Sequence, residues 1–196
     1  QNYNDISDDF TFSIIPIDQA QLDFSGLDVS YDYSETIILD TSGGSGTGIV
    51  TFTLSGDTVE SPLKDISAGS YTLVATKAVD NYNDISINTT LIINKIDQSG
   101  NFRITNTDLS YDYLQDISFT VTGGSGDGDV SFTIPGETFT DNTLVSDPNV
   151  GQYTVVATKD GGQNYNDISD DFTFSIIPIG QAQLDFSGLD VSYDYL

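Results

Sequence analysis

The sequence lacks cysteine, histidine, tryptophan and methionine altogether. Without histidine or cysteine, the usual pairs of nucleophile and base cannot be built, and neither can the common zinc sites. Without cysteine there are no disulfides, so cysteine usage does not reveal the redox compartment. We therefore predict no catalytic residues and no cofactor-binding residues, and a protein that is not an enzyme.

Basic residues are nearly as scarce, with 5 Lys and Arg against 30 Asp and Glu and a net charge of −25. Nucleic acid is excluded as a partner because phosphate contacts need Lys and Arg. The same charge argues against binding to anionic membrane surfaces. No run of about 18 apolar residues occurs, so we predict no membrane span in this segment.

Most of the acidic residues are aspartate, and the only glutamates are Glu35, Glu60 and Glu137. Aspartate favours turns and disfavours helix interiors. No window carries apolar residues at helical spacing with caps at its ends. Apolar residues instead alternate, as at Phe10, Phe12 and Ile14, which is the spacing of a strand. The sequence therefore predicts an all-β protein.

Long stretches of the sequence occur twice. Residues 1–17 return letter for letter at 163–179, and residues 19–33 return at 181–195. Shorter motifs recur about every 80 residues: NYNDIS, YDY, GGSG, and the pair AGSYTLVATK and VGQYTVVATK. A period of this length suits separate small domains, each with its own core, rather than a solenoid.

We divide the chain accordingly into two whole repeats and two partial ones. Residues 1–18 are predicted to form the last strand of a preceding repeat, 19–96 and 97–179 whole repeats, and 180–196 the first strand of a following repeat. The links between repeats are only a few residues long, so we expect neighbouring repeats to lie end to end with limited hinge freedom. The two partial repeats would expose strand edges, and we expect some association between molecules through them.

Two local patterns point to an immunoglobulin-like sandwich. In the first strand, the apolar residues Leu22 and Phe24 occupy even-numbered positions. The apolar residues that follow occupy odd-numbered positions: Leu27, Val29, Tyr31 and Tyr33. The alternation therefore shifts by one residue at Ser25-Gly26, as expected for a strand that passes from one sheet to the other. In the second pattern, Tyr71 and Tyr153 follow a Gly turn at the start of a penultimate strand. That placement resembles a tyrosine corner, in which the hydroxyl bonds to nearby backbone.

The string TSGGSGTGIVTFTLSG, followed by AGSYTLVATK and DNYNDIS, resembles the tandem immunoglobulin-like (MBG-type) repeats of giant bacterial surface adhesins. The motif order matches across both whole repeats. The resemblance implies tandem immunoglobulin-like β-sandwich domains in an extracellular, cell-surface fibre, of the kind that gliding bacteria use for motility. It implies no catalytic residues. A repeated lysine cross-link at Lys95 is doubtful because its counterpart is Pro178.

Aspartates gather near the predicted repeat ends, at 5–9, at 79–84 and at Asp18 and Asp97. Calcium prefers six to eight oxygen ligands of this kind, and calcium between domains would stiffen a stalk. However, no DxDxDG loop occurs, and Gly180 replaces Asp18 in the third copy. The alternative is a solvated acidic face that keeps long fibres soluble and apart. The metal ligands therefore remain unknown, with calcium as the candidate.

The other conspicuous motifs have structural interpretations. The loops at 43–48 and 123–128 lack the Gly-Lys-Ser/Thr and the helix of a phosphate-binding loop, so we predict turns. Tyr31 and Tyr33 are assigned to the core or its rim, with a sugar-binding aromatic patch as the alternative. Lys77 and Lys159 are predicted to be surface cations, with isopeptide bonding as the alternative. Asn88 begins a formal glycosylation sequon in one repeat alone.

Two functions follow from these observations. The first is a structural spacer or shaft of an extracellular repeat adhesin or surface filament that mediates attachment or surface motility. Its partners would be neighbouring repeats of the same chain and other copies in a filament. The alternative is a multivalent module that binds carbohydrate or a surface through avidity. Surface glycans would then contact the variable segments 57–68 and 137–150.

Overall fold

The computed structural model describes residues 8–184. The chain divides into two compact units, Gln1–Ile96 (unit 1) and Asp97–Leu196 (unit 2). Every regular element in the described residues is a β-strand, as the composition predicts. Residues 8–184 include no helix that is long and apolar enough to cross a membrane.

The described part of unit 1, residues 8–96, has seven strands, and its main sheet has the order β2-β7-β6-β4-β5. The strands are β1 (Leu22–Phe24), β2 (Ser30–Asp32), β3 (Thr41–Gly43), β4 (Ile49–Leu54), β5 (Asp57–Val59), β6 (Gly69–Ala78) and β7 (Ile85–Asn94). The opposite layer contains the β1-β3 pair and an isolated bridge between Ile37 and Leu63. The long strands β6 and β7 form an antiparallel hairpin at the centre of the main sheet.

Residues 97–184 of unit 2 form nine strands, and the main sheet has the order β12-β15-β16-β9. The strands are β8 (Arg103–Ile104), β9 (Ser110–Asp112), β10 (Ile117–Ser118), β11 (Val121–Thr122), β12 (Val130–Thr133), β13 (Phe139–Thr140), β14 (Thr143–Leu144), β15 (Gly151–Lys159) and β16 (Ile168–Ile177). Of the remaining strands, β8 and β11 form a two-stranded sheet, and β10, β14 and β13 form a three-stranded sheet in that order. β16 ends just before Pro178, which has no N–H to donate to a ladder.

The first strand of each unit switches sheets, as the parity slip predicts. In unit 1, β1 pairs antiparallel with β3, and then β2 pairs parallel with the last strand, β7. Gly26, between β1 and β2, adopts a φ of +65°, a conformation that glycine takes at little cost. In unit 2, β8 pairs with β11 and β9 pairs parallel with β16. The predicted sandwich of immunoglobulin type is confirmed.

Each unit has its own apolar core, which the two layers enclose. The core of unit 1 is built mainly from leucine and isoleucine, and that of unit 2 is rich in phenylalanine. The alternation along the first strand is only partly a core pattern, because Val29 is 65% exposed and Leu109 is 68% exposed. Both exposed residues directly precede the short strands β2 and β9, where the chain is still crossing between the layers.

The variable segments fold differently in the two units. In unit 1, β5 extends the main sheet by pairing with β4. In unit 2, the longer segment forms the β13-β14 hairpin, and β14 pairs with β10 in the opposite layer. A segment two residues longer thus changes sheets, and β12 becomes an edge strand of the main sheet.

Candidate functional site

The most elaborate polar site in each unit lies where the chain enters it. We call this region the linker pole. It consists of the link, the GGSG loop and the turn between the last two strands, at 18–21, 43–46 and 77–83 in unit 1, and at 97–100, 123–126 and 159–167 in unit 2. The same side chains make closely similar contacts in both copies, although the loop residue that each glutamine oxygen contacts differs by one position.

A glutamine is the centre of each linker pole. In unit 2, the Gln98 amide nitrogen donates to the carbonyl oxygens of Lys159, at 3.1 Å, and Asn166, at 3.0 Å. Its side-chain oxygen accepts from the N–H of Gly126 at 3.0 Å. Gln98 is 9% exposed, so these three bonds satisfy groups that have little access to water.

Gln19 repeats this arrangement in unit 1. Its amide nitrogen donates to the carbonyl oxygens of Lys77 and Asn83, and its oxygen accepts from the N–H of Ser45. The role of this glutamine was not predicted from the sequence. The available signal was the recurrence of glutamine at the same place in all three links, at Gln19, Gln98 and Gln181.

The two link aspartates occupy equivalent positions beside the glutamines. Asn83 donates to the Asp18 carboxylate at 2.7 Å, and Asn166 donates to the Asp97 carboxylate at 2.8 Å. Each carboxylate thus joins the link to the turn between the last two strands. Gly180, the third counterpart, has no side chain to make this bond.

The predicted aspartate clusters do not converge in the described part of the chain. Among residues 8–184, no group of three or more acidic side chains is placed to hold a metal ion. Asp8 and Asp9 are exposed, and residues 5–7 of the same cluster lie outside the described residues. Calcium binding therefore stays a prediction, to be tested in solution.

The GGSG loops are turns, and they cover a lysine. Gly43 and Gly44 have φ values of +83° and +67°, and a side chain on Gly44 would collide with the aliphatic part of Lys77. Lys77 is 9% exposed, and its ammonium group donates to the Gly43 carbonyl oxygen at 3.2 Å. Lys159 donates to the Gly124 carbonyl oxygen at 3.0 Å.

The prediction that Lys77 is a plain surface cation is therefore wrong. Its aliphatic chain is packed under a loop whose glycines leave room for it, and its charged end is held by backbone carbonyl dipoles. The hydrogen bonds of Lys77 and Lys159 go to backbone carbonyls rather than to a side-chain amide or carboxyl, the partner that an isopeptide bond requires. These lysines tie the loop to the penultimate strand.

A second recurring feature is the parallel pairing of the first and last strands of each unit. In unit 1, Ser30, Tyr31 and Asp32 lie opposite Ile92, Ile93 and Asn94. The N–H of Tyr33 donates to the Asn94 carbonyl at 3.0 Å, and the N–H of Ile92 donates to the Val29 carbonyl at 3.0 Å.

Unit 2 has the equivalent ladder between β9 and β16. The N–H of Tyr113 donates to the Ile177 carbonyl oxygen, and the N–H of Ser175 donates to the Leu109 carbonyl oxygen, both at 2.9 Å. We call this feature the terminal-strand ladder. It joins β2 and β9, which follow the short strands β1 and β8, to β7 and β16, the last strand of each unit.

Both predicted tyrosine corners are present. The Tyr71 hydroxyl donates to the Ser67 carbonyl and the Tyr153 hydroxyl donates to the Asn149 carbonyl, each at 2.8 Å. Each bond fixes the entry of the penultimate strand. Tyr31 and Tyr33 pack against the core of unit 1, which confirms their assignment to the core or its rim.

The variable segment of unit 2 lines a cleft of about 250 Å³. Its walls include Gln115, Asp116, Ser146 and Asp147, and no aromatic side chain is among the residues that line it. Sugars usually stack on aromatic rings, which this cleft lacks, so glycan binding there stays a prediction. Asn88, of the sequon, is exposed on β7.

No family model matches the sequence, and no curated protein matches it. The chain is similar to the fibronectin(III)-like modules of CbhA from Clostridium thermocellum, at 14% identity and a TM-score of 0.34, covering 84% of this chain and 100% of that one. It is also similar to the tandem Ig repeats of Dlar, at 11% identity and a TM-score of 0.33, covering 83% and 100%.

A third similar structure is Bacteroides ovatus SGBP-B in complex with a mixed-linkage heptasaccharide. It is 14% identical with a TM-score of 0.30, covering 76% of this chain and 42% of that one. Two of these three proteins are named as fibronectin(III)-like modules and as Ig repeats.

Proposed function

We propose that this chain is a load-bearing spacer of an extracellular repeat adhesin or surface filament, serving attachment or surface motility. One observation carries the proposal. In each unit, the chain enters at one end and leaves at the other, and the terminal-strand ladder joins its first and last strands side by side in parallel.

The path of the chain through unit 1 supports this geometry. The link contacts the turn that precedes β7, because Gln19 and Asp18 both bond to Asn83. β7 then runs for 10 residues and ends at Asn94. At about 3.3 Å per residue, a strand of this length separates entry from exit by roughly 33 Å.

The direction of pairing decides how such a unit responds to tension. When two parallel strands are pulled from opposite ends, the force runs along the strands and loads all their hydrogen bonds together, in shear. When two antiparallel neighbours are pulled from the same end, the bonds break one after another. β2 with β7, and β9 with β16, have the first arrangement.

The links add to the mechanical role. Only Lys95 and Ile96 separate the end of β7 from Asp97, which Asn166 of unit 2 holds. A connection this short leaves little chain to extend before the folded units bear the load. The acidic composition, with a net charge of −25, keeps such arrays soluble and apart.

Single-molecule force spectroscopy tests the proposal. The full chain is pulled either by its termini or by cysteines introduced as Thr72→Cys and Ile92→Cys, which lie near the open end of the β6-β7 hairpin. Native cysteine is absent, so the attachment points are unique. Both positions are exposed, so the substitutions leave the core and the ladder intact.

We expect unit 1 to resist a markedly higher force when pulled by the termini than when pulled through the introduced cysteines. Pulled by the termini, each unfolded unit of about 80 residues would add roughly 250 Å of chain, whereas the 20 residues between positions 72 and 92 would add no more than roughly 70 Å. Equal forces in the two geometries would overturn the load-bearing proposal. The comparison is independent of stability, since both measurements use the same folded unit.

A further inference from the structure

Residues 8–17 and 170–179 have identical sequences but opposite surroundings. Phe12 is 70% exposed, whereas its twin Phe174 is 1% exposed. Ile14 is likewise exposed, and its twin Ile176 is buried. The segment 8–17 thus presents to solvent the alternating apolar side chains that unit 2 uses to complete its core.

The structure shows what covers such a segment. β16 lies between β15, with which it pairs over nine residues, and β9, with which it pairs over three. The ring of Phe174 lies edge-on to Tyr111 at 5.5 Å between centroids, and within 6.0 Å of Phe119 and Tyr153. We call the site between β15 and β9 the unit 2 slot.

We propose that the segment 8–17 is a second donor strand, and that its partner is the unit 2 slot of another copy of this chain. Because the two sequences are identical, the contacts that residues 170–177 of β16 make are available to the incoming segment. The partner surface is therefore specified at each position of the strand, with Phe12 replacing Phe174 and Ile14 replacing Ile176.

The corresponding slot of unit 1 fits the segment less well. There, β7 places Leu91 at the position that Phe174 occupies in β16, and Thr89 at the position of Phe172. Leu91 is fully buried. A phenylalanine in that position would overpack the core, so we infer that the exchange is selective for unit 2.

β16 and the segment 8–17 of another copy compete for the unit 2 slot, and this competition determines the protein concentration at which the exchange is observed. The contacts of residues 170–177 are shared by both states, but β16 also pairs with β15 through Ile168 and Ser169, and it is tethered to β15 by only eight residues, 160–167. A tether of this length gives the resident strand a high effective concentration. At low concentration the resident strand therefore occupies the slot.

Weakening β16 alone reverses this preference. Phe174→Ala removes a buried ring from the resident strand, whereas the segment 8–17 still carries Phe12. The cost of a buried Phe→Ala substitution corresponds to a shift of at least about a hundredfold in favour of the incoming strand. The matched variant Phe12→Ala alters an exposed ring and leaves the slot unchanged.

The experiment is sedimentation velocity of the full chain over a range of concentrations, for the wild type, Phe174→Ala, Phe12→Ala and the double variant. We expect Phe174→Ala to form dimers and larger species at concentrations where the wild type and Phe12→Ala are monomers. The double variant is expected to be monomeric, because neither strand then has a ring for the slot.

Three outcomes would overturn the proposal: Phe174→Ala stays monomeric throughout, the double variant associates as strongly as Phe174→Ala, or a monomer forms whose stability depends on Phe12. The last would place the segment in the slot of its own chain.

If unit 2 of Phe174→Ala fails to fold, a peptide of residues 8–17 is added instead. It should restore the native amide signals of β15, and the same peptide with Phe12→Ala should not; a failure to restore them would equally refute the proposal.

Discussion

The substitution Gln98→Ala should selectively destabilise unit 2. The change deletes two donated hydrogen bonds and one accepted bond, and it leaves the carbonyls of Lys159 and Asn166 and the N–H of Gly126 without these partners. A buried polar group that loses its partner costs about 1–3 kcal/mol, and part-buried groups, which can recruit water, cost less. One buried and two part-buried groups together give roughly 3 kcal/mol.

Calorimetry of the full chain measures this effect, since each unit has its own core. A loss of about 3 kcal/mol in a domain of this size corresponds to a fall in Tm of more than about 10 °C. The transition of unit 2 should move by this amount, while that of unit 1 stays in place. Amide exchange at Gly126 should accelerate in parallel, because its N–H no longer donates to the glutamine.

The chain contains its own controls for this prediction. Gln19→Ala should transfer the effect to unit 1, because Gln19 makes the equivalent bonds there. Gln181→Ala alters the same residue at the third link, where the side chain is exposed, and should change stability by less than about 0.5 kcal/mol. A loss of stability in Gln98→Ala no larger than that in Gln181→Ala would refute the role assigned to the glutamine.

Three further predictions follow from other features. Tyr71→Phe and Tyr153→Phe, which each lose the corner hydrogen bond, should destabilise their units by about 1 kcal/mol, as measured by chemical denaturation; no loss in either unit would contradict the corner's role. Gly123→Ala should destabilise unit 2 far more than Gly136→Ala. Both glycines have a φ of +86°, but of the two only Gly123 lies so close to the backbone that a side chain would collide with it, at the Gly100 carbonyl. Equal losses of stability would argue against that close approach. If the acidic residues form a solvated face, calcium and magnesium at equal ionic strength should change Tm equally, because both ions then act by screening; a rise specific to calcium would count against the solvated face.

The strands were predictable because their signals are local. The alternation at Phe10, Phe12 and Ile14 recurs at Phe172, Phe174 and Ile176 in β16. The glycine before Tyr71 located a corner that depends on residues only four apart. The parity slip at Ser25-Gly26 likewise predicted the change of sheets. Each of these features follows from side chains a few residues apart, so a single sequence contains the information.

The linker pole was harder to predict because its contacts join residues far apart in the sequence. Gln98 bonds to Lys159 and Asn166, which are 61 and 68 residues away. The burial of Lys77 likewise depends on a loop 34 residues earlier in the sequence. Because lysine is usually exposed, the residue type alone predicted a surface position. Recurrence of the glutamine in every link was the one signal available, since repeats preserve long-range contacts along with local ones.

The contacts described above for each linker pole join residues of the unit that the link precedes. A stretch of gene that begins at the link therefore encodes a domain together with the residues that fix its entry. In-frame duplication of such a stretch would insert another unit without requiring any compensating change in its neighbours. The length of the protein is thus free to vary by recombination between near-identical repeats, and populations of the source organism should contain alleles that differ by whole pairs of units.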